Sequence, residues 1–200
     1  MRILNKLAVR LVVVVFMAGA SAIAQQKTAP TPGVFHDKLD FGLNYTYKLA
    51  KGSTAPNGYF IQGASFDAAY TPGGRLKGLG LAVDVNDEYA KDIYPSVDLR
   101  KLTYVAGPRY TLRGPRASLY VESLLGVDIA YDTVIYSAAG FQSAARSFSS
   151  QYGGGLNLNF AKHVAWRVAA LDYVFTTLPN DTGTNRQSAT RLSSGIAFHF

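Results

Sequence analysis

The chain has 200 residues, no cysteine and a formal net charge of +7, and 48% of its residues are hydrophobic. A chain of this length predicts one domain. The absence of cysteine excludes a disulfide scaffold, a thiolate metal site and a lipoprotein anchored through a cysteine. There is no run of Lys and Arg and no nucleic-acid-binding motif, so we expect no nucleic acid partner.

The first 24 residues predict a cleaved signal peptide. Basic residues at Arg2, Lys6 and Arg10 precede the apolar run LVVVVFMA at 11–18. That run is too short to span a bilayer as a helix. Small residues follow and end in Ala22–Ile23–Ala24, which fits the rule for cleavage before Gln25. The alternative is an uncleaved N-terminal anchor.

Residues 25–37 form a Pro-rich, polar stretch that we interpret as a flexible N-terminal lead. From residue 38 onward, apolar and polar residues alternate in stretches typical of β-strands. The clearest is 38–49, where six apolar residues from Leu39 to Leu49 alternate with polar or small ones. Eight strands are predicted, at about 38–49, 60–71, 76–86, 99–112, 117–131, 148–160, 164–176 and 191–200.

The predicted connections alternate in length. Tight turns are expected at 72–75, 113–116 and 161–163. Longer loops are expected at 50–59, 87–98, 132–147 and 177–189. Short turns at one end and long loops at the other are typical of bacterial outer-membrane barrels, with both termini on the periplasmic side. The predicted fold is therefore an all-β, eight-stranded, antiparallel, up-and-down transmembrane β-barrel over residues 38–200.

The two faces of the predicted sheet differ sharply in charge. In lipid the apolar face must point outward, whereas a soluble barrel of the lipocalin type keeps it inside. Aromatic residues favour lipid, because those of apolar parity fall into two bands at the strand ends, as in a membrane girdle. The predicted girdle is Phe41, Tyr70, Tyr110, Phe160, Trp166 and Phe198 at the short-turn end, and Tyr47, Tyr131 and Phe148 at the long-loop end. A soluble β-barrel or sandwich is the alternative.

The charged face predicts an interior network. If Pro115–Arg116 is the turn of its hairpin, cross-strand partners sum to 231 and Arg109 faces Glu122. A three-residue turn at 161–163 likewise places Asn157 opposite Arg167. An eight-stranded barrel has room only for side chains, so interior charges must be paired. The predicted network is Asp84, Lys101, Arg109, Glu122, Asp128, Asn157, Arg167 and Arg191. We interpret it as a polar plug in preference to a gate or proton path.

Two places break the alternation. Pro108 removes a ladder donor inside the fourth strand, which predicts a bulge at Gly107–Pro108. Arg167 and Asp172 are five residues apart, so they share a face only if a bulge lies between them. Without that bulge, Asp172 would face lipid or lie near the rim.

We find no convincing catalytic set, metal-ligand spacing or cofactor motif, and we predict a protein that is not an enzyme. The histidines are His36 in the lead, His163 in a turn and His199 at the periplasmic end of the last strand. Barrel lipases and lipid A-modifying enzymes use His with Ser and an acid at one rim. Ser193 and Ser194 are near His199 in sequence, but their spacing does not place them beside its ring.

The strand–turn–strand segment Ala106 to Gly126 (AGPRYTLRGPRASLYVESLLG) and the ending GIAFHF resemble the small outer-membrane β-barrel family that includes the transmembrane domain of outer membrane protein A. The ending, with Ile196, Phe198 and Phe200 on the apolar face, looks like the signal read by the barrel-assembly machinery. The resemblance implies that this machinery, periplasmic chaperones and outer-membrane lipids are partners. Members act as structural anchors, adhesins, narrow pores and occasionally enzymes. We expect no peptidoglycan-binding domain after the eighth strand.

These observations predict an outer-membrane protein, exported through its signal peptide, with a structural or surface-interaction role. A narrow porin-like channel for ions or small solutes is the alternative, and a lipid-modifying enzyme is a further one. Polar and aromatic residues of the long loops would face partners or simply solvent. They are Lys51, Asn57, Tyr59, Glu88, Tyr89, Lys91, Asp92, Tyr94, Asn180, Asp181, Asn185 and Arg186.

Overall fold

A computed structural model describes residues 39–50, 59–72, 78–94, 97–131, 135–137, 140–142, 144–179 and 186–200. The predicted signal peptide (1–24), the N-terminal lead (25–37) and Gly73–Gly74 of the first turn lie outside the described residues. So do the loop residues Lys51, Asn57, Asn180, Asp181 and Asn185. In the described part of the chain, no helix is long and apolar enough to cross a membrane.

Eight strands close into one antiparallel barrel in the order β1-β10-β9-β8-β5-β4-β3-β2. They are β1 (Leu39–Ala50), β2 (Tyr59–Tyr70), β3 (Leu79–Tyr94), β4 (Val97–Arg113), β5 (Ala117–Tyr131), β8 (Ala145–Asn159), β9 (Val164–Thr176) and β10 (Gln187–His199). The short strands β6 (Ile135–Ser137) and β7 (Gly140–Gln142) pair with each other in the connection between β5 and β8. The eight-stranded up-and-down fold predicted from the alternation is confirmed.

The first and last strands close the barrel. Asp40 pairs with His199 and Ala50 with Ala189 along an unbroken ladder. On its other side β1 pairs with β2 over its whole length, from Leu39 opposite Tyr70 to Ala50 opposite Tyr59. Every barrel strand therefore has two neighbours, so no sheet edge is left without hydrogen-bond partners, as a bilayer requires.

Short connections lie at the end of the barrel that carries Phe200, between β4 and β5 and between β8 and β9. At the other end, the predicted loop 87–98 is largely absent. β3 instead continues to Tyr94 and β4 begins at Val97. The prediction failed because Asp87 and Glu88 resemble loop residues, although their parity still alternates as in a strand.

The exposed face of the barrel is apolar. Leu43, Leu81 and Val121 are 58%, 68% and 59% exposed. A strand of 12 residues such as β1, tilted by about 40°, rises about 30 Å, which matches the hydrocarbon thickness of a bilayer. The charged residues of the opposite parity lie inside. Asp67, Arg109 and Asp128 are at most 3% exposed. This inversion of polarity is that of a barrel surrounded by lipid, and it is the reverse of a lipocalin-type barrel.

One expected irregularity is present and the other is not. The register between β8 and β9 shifts between Leu156 and Asn157, so that Val168 is an extra residue and both Arg167 and Asp172 point inward.

The bulge predicted at Gly107–Pro108 is wrong. The β4–β5 ladder lacks pairs at these two residues but keeps its register, with Ala106 opposite Leu125 and Arg109 opposite Glu122. The chain passes Pro108 without inserting a residue.

Apolar residues fill the lumen toward its long-loop end. Ala50, Ile61 and Ala90 are buried together, with Leu99 and Ala189 packed against them. Leu178, just after β9, is 6% exposed and packs against Ala130, Leu99 and Ala145. This apolar layer lies between the charged interior and the long-loop end.

Candidate functional site

The interior of the barrel holds a ladder of ion pairs, and its centre is organised around Asp67 of β2. Arg109 of β4 donates from Nη1 to Asp67 Oδ2 at 2.8 Å and from Nε to Glu122 Oε2 of β5 at 2.7 Å. Arg167 of β9 donates to both oxygens of Asp67, with Nη2 3.2 Å from Oδ2. This central cluster therefore joins four strands with two guanidinium groups and two carboxylates.

Tyr120 of β5 supports both guanidinium groups. Its ring centroid lies 4.4 Å from Arg109 Cζ and 5.0 Å from Arg167 Cζ, within range of cation–π attraction. The ring can lie against β8 because Gly155 has no side chain. A Cβ there would be 2.7 Å from the ring. Gly42 likewise leaves room for the Asp67–Arg167 ion pair, since a Cβ there would overlap Asp67 Oδ1 and lie 2.8 Å from Arg167 Nη1.

Arg191 of β10 bridges two carboxylates, forming what we call the Arg191 triad (Asp84, Asp172 and Arg191). Its Nη1 donates to Asp84 Oδ1 of β3 at 3.1 Å. Its Nε and Nη2 donate to Asp172 Oδ2 of β9 at 3.1 and 3.0 Å. The side chains of all three are at most 4% exposed. The triad spans the lumen from β3 to β9 and β10.

Nearer the long-loop end, two lysines alternate with two carboxylates. Lys48 Nζ donates to Glu88 Oε2 at 2.6 Å. Lys101 Nζ lies 3.2 Å from Glu88 Oε2 and 3.0 Å from Asp128 Oδ2. The sequence placed Glu88 in a solvated loop, whereas its side chain is 1% exposed inside the barrel. Because β3 extends past Asp87, Glu88 falls on the inward parity.

At the end of the barrel that carries Phe200, Arg113 of β4 reaches across to Asp40 of β1. Its two Nη atoms donate to the two carboxylate oxygens at 2.9 and 2.6 Å, the bidentate geometry that favours arginine. Nδ1 of His199 lies 2.6 Å from Asp40 Oδ1, while its Nε2 is buried without a partner.

The prediction that Ser193 and Ser194 lie away from His199 agrees with the register. They pair with Thr46 and Tyr45, roughly 15–20 Å along the strand from His199.

Little space remains between these clusters. A central cavity of about 10 Å³ is lined by residues of the central cluster and the Arg191 triad. That volume is room for about one water molecule. Charges this deeply buried are tolerated only when they are paired, and loss of one partner typically costs about 3–5 kcal/mol. In the part of the chain that the structure describes, paired side chains fill most of this charged interior.

The barrel is similar to solved structures of known proteins. No family model matches the chain, and no curated protein matches it in sequence. Among solved structures, Neisserial surface protein A is similar, with a TM-score of 0.58 and 16% identity over 81% of this chain and 97% of that one. Ail, the attachment invasion locus protein of Yersinia pestis, has a TM-score of 0.55 and 16% identity over 82% of this chain and 99% of that one.

The chain has the fold of the small eight-stranded outer-membrane β-barrels. At 16% identity the two structures support the fold alone.

The structure places every predicted network residue inside the barrel. Asp84, Lys101, Arg109, Glu122, Asp128, Asn157, Arg167 and Arg191 are all buried. Arg167 Nε donates to Asn157 Oδ1 at 3.1 Å, which links Asn157 to the central cluster. Asp40, Lys48, Asp67, Glu88, Arg113, Tyr120, Asp172 and His199 also belong to the ladder but were not in the predicted set. Asp40, Lys48 and Asp67 carried a usable signal, because they have the inward parity.

The predicted girdle residues lie on the outer wall. Tyr70, Tyr110, Phe160 and Trp166 are 40–68% exposed near the short-connection end, with Phe41 and Phe198 half-buried among neighbours there. Tyr47 and Phe148 are 40% and 47% exposed near the other end, and Tyr131 is half-buried. Arg100 stacks on Tyr131 with its Cζ 5.2 Å from the ring centroid.

The predicted assembly signal lies along the outward face of β10 and at the residue that follows it. Ile196 and Phe200 are 47% and 56% exposed, and Phe198 is half-buried. Phe200 stacks on His163 of the β8–β9 turn with ring centroids 5.7 Å apart, and its backbone pairs with Leu39. His163 Nδ1 also lies 2.8 Å from the carbonyl oxygen of His199.

Within the described ranges, no group of three or more His, Cys, Asp or Glu could hold a metal ion.

Proposed function

We propose that this protein is a closed, non-conducting barrel of the outer membrane that acts at the cell surface. Its barrel would serve as a structural anchor, and its long connections would meet partners outside the cell. The proposal includes export through the predicted signal peptide and assembly by periplasmic chaperones and the barrel-assembly machinery. Outer-membrane lipids would cover the exposed apolar wall.

The filled lumen is the observation that carries the proposal. Ion pairs cross it at four levels, from Arg113–Asp40 to Lys48–Glu88. Above them the apolar layer around Ile61 and Leu178 lies toward the long-loop end. An ion entering this lumen would have to displace buried, paired charges at each level, which is costly.

The surface role is supported by where the long connections lie. The longer connections β1–β2, β5–β8 and β9–β10 lie at the end opposite Phe200, whereas the β2–β3 connection lies at the same end as Phe200. The β6–β7 hairpin is part of the β5–β8 connection. Loops on a rigid scaffold commonly carry binding functions. The two similar structures are named as a surface protein and an attachment invasion locus protein, which is in keeping with such a role.

Planar bilayer recording tests the closed lumen. The purified barrel, refolded and shown to shift on a gel when boiled, should give no steady single-channel steps. The Arg109→Ala variant provides the comparison, because it removes a side chain from the centre of the ladder. Steady steps in the unmodified protein that change in size in this variant would overturn the plug and support a narrow channel.

Epitope tags test which end faces outward. A tag inserted at 181–185 should be labelled by antibody on intact cells. A matched tag at Ala161–Lys162 should be labelled only after the outer membrane is permeabilised. The reverse pattern, or a protein found in the soluble periplasmic fraction, would contradict the proposed location. Lipid A mass spectra that change on expression would instead favour a lipid-modifying enzyme.

A further inference from the structure

Among the residues that the structure describes, Asp, Glu, Lys and Arg balance in charge at every level of the lumen but one. The upper cluster has two lysines, Lys48 and Lys101, for two carboxylates, Glu88 and Asp128. In the central cluster, Arg109 and Arg167 face Asp67 and Glu122. At the end that carries Phe200, Asp40 has Arg113 and also contacts His199, which adds a charge only when it is protonated.

The Arg191 triad is the exception, because its two carboxylates share one guanidinium group. With both carboxylates ionised, the triad would bury one uncompensated negative charge. Such a charge is strongly disfavoured in a water-excluded interior, and the common outcome is uptake of a proton.

One carboxylate oxygen of the same triad has no hydrogen-bond partner. Asp172 directs both of its bonds with Arg191 through Oδ2, and its Oδ1 is buried without a hydrogen-bond partner. Ser193 Oγ is also buried and without a partner. Both residues line the central cavity of about 10 Å³, which has room for about one water molecule.

We propose that the Arg191 triad is a proton-binding site, in which Asp172 Oδ1 carries the proton and donates it to one water molecule held against Ser193. Uptake forms one O–H bond on the carboxylate and consumes one hydronium ion, leaving water. The triad then holds one carboxylate, one neutral carboxylic acid and one guanidinium group, and its charge is balanced like that of the other levels.

The surroundings favour a proton over a metal cation. Arg109 of β4 and Arg167 of β9 line the same cavity as Arg191 of β10 and would repel a metal ion. The other titratable groups that line it are Asp67 of β2, Asp84 of β3, and Tyr120 and Glu122 of β5. Lys48 of β1 pairs in register with Arg191 but is held by Glu88. From β8, Gln151 adds no charge and donates to Glu122.

Infrared difference spectroscopy on the refolded barrel in phosphatidylcholine vesicles tests the site. At neutral pH the spectrum should contain the carbonyl stretch of a buried protonated carboxyl group. Asp172→Asn should remove it. Asp84→Asn should remove it as well, because the remaining Arg191–Asp172 pair is neutral without a proton. Asp128→Asn, in the balanced upper cluster, is the matched control and should keep it.

Unfolding by urea provides a second readout. A folded barrel that binds one more proton than the unfolded chain loses stability as pH rises, by about tenfold in the unfolding constant per pH unit. Between about pH 6 and 8, Asp172→Asn should lose this contribution of one proton to the slope, whereas Asp128→Asn should keep it. Absence of the band in the unmodified protein, or its persistence in either triad variant, would overturn the proposal. A band that disappears only when Na⁺ replaces choline would assign the site to a metal cation instead.

Discussion

Arg167 and Asp172 lie five residues apart in β9, yet both side chains point into the lumen. Val168 makes this possible as the extra residue between Ala169, opposite Leu156, and Arg167, opposite Asn157. The partner strand on the other side adjusts as well, since the hydroxyl of Ser194 donates to the carbonyl of Arg167 at 2.9 Å. The bulge therefore supplies one residue to the central cluster and one to the Arg191 triad.

Deleting Val168 should prevent the barrel from folding. One side of the deletion would change parity and place either Arg167 or Asp172 against lipid. A charge there costs up to about 2–4 kcal/mol for a cation, and the interior partner would also be left unpaired. The measurement is the heat-dependent gel shift after refolding. Val168→Ala keeps the residue count and should fold. A deletion variant with the normal gel shift would refute the role of the bulge.

Arg109→Met should lower the free energy of unfolding by about 3–5 kcal/mol, because Glu122 loses its guanidinium partner inside a closed lumen. Adding Glu122→Gln to this variant should restore part of the loss, since the carboxylate left unpaired is then neutral. Urea unfolding in lipid vesicles measures both variants. Equal stability of the single and double variants would show that an unpaired Glu122 carboxylate is not what destabilises Arg109→Met.

Gly42→Ala should destabilise the barrel although it adds only a methyl group. A Cβ at this position overlaps Asp67 Oδ1 and crowds Arg167 Nη1, and both groups are held by further ion pairs. Overpacking of this kind costs about 1–3 kcal/mol. The midpoint of urea unfolding gives the effect. An unchanged midpoint would mean that the central cluster can shift without loss.

The single tryptophan reports directly on the outward face. Trp166 is 50% exposed on the outer wall, two residues after β9 begins at Val164. In vesicles of brominated lipid, its fluorescence should be quenched more by bromine near the headgroup than by bromine at the end of the acyl chain. Aqueous iodide should quench it weakly. Strong quenching by iodide with no effect of brominated lipid would contradict the assignment of this face to lipid.

His163→Ala should weaken closure of the barrel. The ring stacks on Phe200, and Nδ1 contacts the carbonyl of His199, so its removal should cost about 1 kcal/mol. Lys162→Ala lies in the same turn, where the side chain is exposed, and should have no effect. Refolding yield and unfolding midpoint compare the two. Identical behaviour of both variants would show that the stack does not contribute.

The alternation of residues predicted much of this fold because it reports a local property, the face on which a side chain lies. It placed β1 correctly, and the short turn after β4 predicted that Arg109 is opposite Glu122. Turn length is also local, so register followed from it. The same reasoning predicted Asn157 opposite Arg167.

Contacts across the lumen could not be predicted in this way. Asp40 and Arg113, or Asp84 and Arg191, meet because the sheet closes with a particular stagger, which no single hairpin specifies. Glu88 was misplaced for a related reason. Its polar neighbours resemble a loop, although it keeps the inward parity of β3, and its lysine partners lie on β1 and β4. Pro108 was expected to distort a strand that tolerates it without an inserted residue.

The strict alternation within β1 also bears on which membrane accepts the chain. In β1 no two consecutive residues from Asp40 to Lys48 are both apolar, whereas a segment retained as a helix in a bilayer needs about 20 predominantly apolar residues in a row. On the proposed route of export, a strand with this pattern offers no such segment, and its charged residues remain hydrated until the strands pair. The residues that become the core of the finished barrel are thus the ones that keep the unfolded polypeptide compatible with an aqueous compartment on its way to a more distant bilayer.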